Sequence, residues 1–250
     1  MRGWWREISG LVLPVSCGGC GRDRTELCEA CGGRLYGGAP RRVRPSPEPP
    51  GLPAVHAAAG YEGAVRAVLL AHKERGVLGM ARPLGRALAG AVRAGAGQVP
   101  DGRPLLLVPV PSTRRAVAAR GHDPARRIAL AAAAELRRTG VAATVAAVLR
   151  QRRAVADQAG LTAAERRANL AGALDVAAGG GRLLAAGRVV LVDDLLTTGA
   201  TLAEAARVVD AAREGLRDGV MGCDAAVVAA SPLAFDAACP AAREINRNCN

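Results

Sequence analysis

The chain reads as an α/β protein, a parallel sheet flanked by helices, with a small four-cysteine module in front of it. Three observations predict this. From residue 54 onward short aliphatic runs alternate with longer stretches of helical period, the pattern of strand–helix–strand units that feed a parallel sheet. Half of the 250 residues are hydrophobic yet only 2% are aromatic, so Leu, Val and Ala must build the core, which suits helices lying close on a buried sheet. Four of the seven cysteines fall in two C-x-x-C pairs near the N-terminus.

The chain divides into three parts by composition. Residues 1–38 hold the paired cysteines, and residues 39–53 are rich in Pro and Arg, with Pro45, Pro47, Pro49 and Pro50 close together. That stretch reads as a linker or an extended strap. Residues 54–250 form the main domain. Within it a strand is expected over 55–61 and helices over 63–73 and 80–93. A buried strand over 105–110 is ended by Pro111 and the polar Ser112-Thr113. A helix over 123–138 opens with Asp123 as cap and Pro124 in its first turn. Residues 144–149 allow another strand, and Thr162-Ala-Ala-Glu165 is a capping box for a short helix. A central strand over 189–192, a loop, a helix over 200–213 and a strand over 225–230 complete the pattern. Residues 243–250 are polar and read as a frayed tail.

Cys17-Gly-Gly-Cys20-Gly and Cys28-Glu-Ala-Cys31-Gly are matched knuckles separated by seven residues. Four thiolates so arranged fit tetrahedral Zn2+ in a zinc-ribbon-like module, and the glycine after each pair lets backbone N–H groups reach the sulfurs. With no open coordination position, the role would be structural. Two disulfides are the alternative, disfavoured in a reducing compartment. Cys223, Cys239 and Cys249 lack such partners and read as ordinary residues. No run is long and apolar enough to span a bilayer. Leu11 to Cys17 resembles a lipidated signal segment only faintly, because its apolar run is short and carries Pro14. The expected location is cytoplasmic.

The net charge is +12, and Lys73 is the only lysine. Between Ser112 and Arg167 twelve arginines face Asp123, Glu135, Asp157 and Glu165, so this stretch alone carries +8. Such a concentration suits a polyanion: pyrophosphate, phosphate or a nucleic-acid backbone. His56, His72 and His122 form no evident ligand set, and His122 is expected at the surface.

The most informative segment is Val189-Val-Leu-Val-Asp193-Asp194-Leu-Leu-Thr-Thr-Gly199-Ala-Thr201-Leu202. An apolar strand runs into two carboxylates and then a small, hydroxyl-rich turn that opens a helix. Free N–H groups at the helix start and the threonine hydroxyls can surround a dianion, and Gly199 lets the backbone approach it closely. Carboxylates at the strand end can accept hydrogen bonds from sugar hydroxyls.

This segment resembles the phosphoribosyl pyrophosphate (PRPP) motif of type I phosphoribosyltransferases. The resemblance implies a type I phosphoribosyltransferase-like sheet, with Asp193 and Asp194 on the ribose hydroxyls. It also implies that Leu196, Thr197, Thr198, Gly199, Ala200 and Thr201 form the 5′-phosphate loop. The turn after the first core strand would grip pyrophosphate together with Mg2+. Here that turn holds Ser112, Thr113, Arg114 and Arg115. A mobile loop would close over the site, for which residues 150–158 are the candidate.

Val108-Pro-Val-Pro-Ser-Thr113, Arg120-Gly-His-Asp-Pro124 and Gln158-Ala-Gly-Leu-Thr-Ala-Ala-Glu-Arg-Arg-Ala-Asn169 resemble signatures of the ComF family. With the cysteines they appear in the family's order over nearly the whole chain. The chain departs from the family's usual Arg-Gly-Phe-Asn-Gln at His122-Asp123-Pro124. Two functions are therefore expected. One is a phosphoribosyltransferase that binds PRPP, or another ribose 5-phosphate ligand, and passes the phosphoribosyl group to an acceptor. The other is a non-catalytic competence protein for DNA uptake that contacts single-stranded DNA or protein partners. Single-strand binders usually stack bases on aromatic side chains, and none lies in the basic stretch.

Overall fold

A computed structural model describes residues 15–97, 102–153, 163–214 and 222–236. Its main sheet contains β1 (Arg41–Val43), β2 (Val55–Gly60), β3 (Leu105–Pro109), β4 (Ala143–Val145), β7 (Arg188–Leu196) and β8 (Asp224–Ala230). The spatial order is β1-β2-β8-β7-β3-β4, and a separate ribbon pairs β5 (Leu149–Gln151) with β6 (Leu174–Val176). Only β1 runs antiparallel in the main sheet. The helices are α1 (Glu29–Tyr36), α2 (Gly63–Lys73), α3 (Ala81–Ala96), α4 (Arg114–Arg120), α5 (Pro124–Arg138), α6 (Ala163–Leu170), α7 (Gly180–Ala185), α8 (Ala200–Arg213) and α9 (Pro232–Asp236).

Alternation along the strands builds a core on each face of the sheet. Val190 and Val192 join Leu105, Leu107 and the inner residues of α2, α3 and α5, whereas Val189 and Leu191 join Leu202, Ala205 and Val209 of α8. The shortage of aromatics is met by close helix packing. A Cβ at Gly85 of α3 would collide with Ala131 and the backbone of Ala132 in α5, so glycine allows that approach.

Helices α2, α5 and α8 occupy the expected spans. Asp123 caps α5 by accepting a hydrogen bond from the Arg126 amide at 3.1 Å. The helix expected over 80–93 begins one residue later, after a 3-10 turn at Leu78–Met80, and runs on to Ala96. The strand expected over 144–149 is two short ones. Ala146 still donates to the Leu107 carbonyl, after which the chain leaves the sheet edge and Leu149 pairs with Val176. The strand expected to end at residue 192 continues to Leu196, because β8 stays in register beside it as far as Ala230. Helix α6 is present, while Thr162 of its proposed capping box lies outside the described residues.

The Pro/Arg-rich stretch acts as a strap and supplies the edge strand β1, whose short length and exposed Arg41 and Arg42 blunt the sheet edge. Arg44 donates its amide to Ala234, Arg41 lies over the Phe235 ring at 4.8 Å, and Pro45 and Pro49 are buried. The cysteine module is docked on the main domain through Leu35, which is fully buried in the core beneath α2 and α3.

Candidate functional site

Strands β3 and β7 are neighbours, but the chain leaves them in opposite directions. From β3 it passes through α4 and α5 to β4, and from β7 it passes through α8 to β8 on the other side. The crevice outside their carboxyl ends is therefore a topological switch point, the usual ligand position in an open parallel sheet. The Val110 amide donates to the Val192 carbonyl at 2.9 Å. This places the turn before α4 beside Asp193.

Residues 197–199 connect β7 to α8 in the expected way. Gly199 has φ +75° and ψ −3°, and no side chain caps the helix it precedes. The first N–H groups of this 14-residue helix thus lack intrahelical and side-chain acceptors. Thr197 is exposed, Thr198 and Thr201 are half-buried, and Gly199 and Ala200 are buried. Leu196 differs from its neighbours in the turn. Its side chain is buried in the core with α8, so only its backbone can serve the loop. The strap closes over the same turn, since a Cβ at Gly199 would lie 3.1 Å from both Leu52 methyls and 3.3 Å from Pro49 Cγ.

The two carboxylates have different surroundings. Asp194 follows Val190 and Val192 toward the α2 side, is buried, and meets the Lys73 ammonium at 2.7 Å. Asp193 is half-buried and turns its Oδ1 back to accept the Asp194 amide at 2.8 Å. Burial and the adjacent Asp194 charge push the Asp193 carboxyl well above its ordinary value, against the pull of Lys73. Burial alone would lower Lys73, but Asp194 and Asp193 outweigh it and hold the ammonium above its usual range. Sequence reasoning missed Lys73 as a site residue. The available signal was its standing as the only lysine.

The end of α2 is fastened to the segment that follows β3. Arg120 forms a two-pronged pair with Glu74, at 2.8 and 3.1 Å. His122 is buried rather than on the surface, with Nε2 3.1 Å from the His72 carbonyl and the two rings 5.3 Å apart. His72 is fully buried, and burial lowers its pKa. These histidines hold two elements together at the crevice.

Of the pyrophosphate-turn candidates, Ser112 and Thr113 are half-buried, and the Thr113 hydroxyl is occupied in capping α4 through the Ala116 amide at 3.1 Å. Arg114 and Arg115 are exposed in the first turn of α4. Several arginines of the basic stretch have partners within the protein. Arg120 and Arg138 pair with Glu74 and Glu135, Arg150 with Asp175, and Arg137 and Arg153 with backbone carbonyls. The candidate closing loop accordingly begins as ordered strand at Leu149–Gln151, and residues 154–158 lie outside the described residues.

Cys17, Cys20, Cys28 and Cys31 bring their sulfurs within 4.8 Å of one another and can hold a metal ion. The Cys28 amide points at Cys17 Sγ at 3.3 Å. Burial pulls Cys17 upward, but the N–H groups of Cys28, Cys20 and Gly19 outweigh it and hold the thiol at about 6. Cys223 is buried, and burial raises its thiol to about 12, consistent with an inert core residue. No described helix is long and apolar enough to cross a membrane. No family model matches the chain, and no curated protein matches it.

Proposed function

We propose that this chain is a PRPP-binding, phosphoribosyltransferase-like protein of the ComF family with a structural zinc knuckle. One observation carries the reading: two carboxylates on the central strand lead through left-handed Gly199 into an uncapped helix at the sheet's switch point. In this reading the 5′-phosphate sits on the α8 amides and the hydroxyls of Thr197, Thr198 and Thr201. Asp193 and Asp194 accept the ribose hydroxyls. The pyrophosphate lies toward Ser112, Arg114 and Arg115. Carboxylates beside a ligand's phosphate oxygens are the hard donor set that suits Mg2+, which when bound would neutralise the departing pyrophosphate. The protein's own part is to hold ribose and phosphate in place while the bond from the anomeric carbon to pyrophosphate breaks and one to an acceptor forms.

For zinc, Zn–S bonds of about 2.3 Å require S···S edges of about 3.8 Å in a tetrahedron. Cys20 and Cys28 Sγ are already 3.6 Å apart, so small side-chain adjustments complete the site. The ligand reading is tested by thermal unfolding with saturating PRPP and magnesium. A ligand at about 100 times its Kd stabilises by about 2.7 kcal/mol, a rise of about 5–10 °C for a domain of this size. The Asp193→Asn/Asp194→Asn double variant should fold and show no such rise. An equal rise in both proteins would remove the proposed ribose role.

A further inference from the structure

Every basic residue of the chain except Lys73 is an arginine. That single lysine ends α2 and reaches the acid pair of the central strand, 2.7 Å from Asp194 Oδ2. Its side chain is 34% exposed while its partner is 8% exposed, so one side of the ammonium is tied to the protein and the other opens outward. An ammonium has three rotatable donors on a compact charge. It can serve a carboxylate and a second oxygen at once, whereas a guanidinium fork would be committed to planar pairing. The residues on either side of Lys73 are tied to the segment that follows β3. Glu74 is held by Arg120, and the His72 carbonyl faces His122 Nε2. Lys73 is therefore fastened on the side of the crevice occupied by the segment after β3, where the pyrophosphate arm is placed.

We propose that Lys73 is a ligand-binding residue of this site that receives the pyrophosphate arm of PRPP, Asp194 serving in the free protein as its counter-ion. The proposal rests on the reading of the site as a PRPP pocket. It adds a fixed cation that the exposed Arg114 and Arg115 do not provide. It also explains how an acid pair survives at the strand end before ligand arrives: Lys73 neutralises one carboxylate, and the other turns its Oδ1 onto the Asp194 amide. On binding, the ammonium keeps its hold on Asp194 and gains a pyrophosphate oxygen.

The test is calorimetric titration of the full chain with three probes, each with magnesium: PRPP, ribose 5-phosphate and inorganic pyrophosphate. Wild type is compared with Lys73→Met and Lys73→Arg. Losing a charge-assisted hydrogen bond should weaken PRPP and pyrophosphate about 10- to 100-fold in Lys73→Met. Ribose 5-phosphate, which lacks the pyrophosphate arm, should change less than about threefold, within the scatter of such contributions. Lys73→Arg should recover only part of the loss. If Lys73→Met does not fold, Lys73→Gln, which keeps a donor for Asp194 without the charge, makes the same comparison. Wild type that binds PRPP while the Met or Gln variant binds it equally well would overturn the role of Lys73 alone. Equal weakening of PRPP and ribose 5-phosphate would overturn the pyrophosphate assignment. Wild type that binds none of the probes would overturn the pocket reading and this proposal with it.

Discussion

Replacing Gly199 with alanine tests the entry to α8 and the strap over it in one experiment. Gly199 sits at φ +75° and ψ −3°, where an L-residue pays roughly 1–2 kcal/mol for its Cβ. The new methyl would also lie 3.1 Å from both Leu52 methyls and 3.3 Å from Pro49 Cγ, so its neighbours must yield by a few tenths of an ångström. Leu52 is half-buried and can yield, while buried Pro49 has less room. Together these costs come to about 2 kcal/mol, or about 4–8 °C in Tm for a domain of this size. Urea unfolding monitored by circular dichroism reads the change directly. Repeating the substitution in a Leu52→Ala background isolates the share owed to Leu52, because its methyl contacts vanish while the backbone cost and the Pro49 contact stay. Gly199→Ala with wild-type stability would refute the left-handed entry. A cost unchanged by Leu52→Ala would refute the contribution of the Leu52 contact.

Three further outcomes are expected. Asp193 has its pKa raised on folding, so between the unfolded value near 3.8 and the raised folded value the native state holds more protons. Stability must then fall as pH rises through that window. Asp193→Asn keeps the Oδ1 acceptor, so its Tm should exceed wild type at pH 7 and the gap should close toward pH 4; a gap that does not vary with pH contradicts this origin. The purified protein should contain about one zinc per chain, and Cys28→Ser should lose it and loosen the docked knuckle. Metal analysis finding none in a folded, chelator-insensitive sample would contradict the zinc assignment. Asp123→Ala removes the cap on the Arg126 amide and should cost about 1 kcal/mol, read as a Tm lower by about 2–4 °C.

Helices α2, α5 and α8 were legible in the sequence because their signals are local: hydrophobic period, and for α5 an Asp-Pro start. The turn from β7 into α8 was legible for the same reason, since acids, hydroxyls and glycine lie within a few residues. What escaped depends on distant partners. Strand β1 pairs through its backbone, which leaves no mark on a stretch whose Pro and Arg content reads as linker. The burial of His122 comes from His72, 50 residues away, and the ion pair of Lys73 comes from a carboxylate on another element. The extension of β7 to Leu196 was missed because nothing local shows how far β8 follows β7. The ion pairs of the basic stretch were hidden for a related reason. Glu74 and Asp175, which pair with two of its arginines, lie outside it.

The crevice outside the carboxyl ends of β3 and β7 is proposed as a PRPP site. Calorimetric titration of PRPP into the purified chain, with magnesium and again with a chelator, tests it most directly. The expected result is saturable binding at one PRPP per chain, weakened without magnesium and abolished by Asp193→Asn with Asp194→Asn. A folded wild-type protein that takes up no PRPP in the presence of magnesium would contradict the claim.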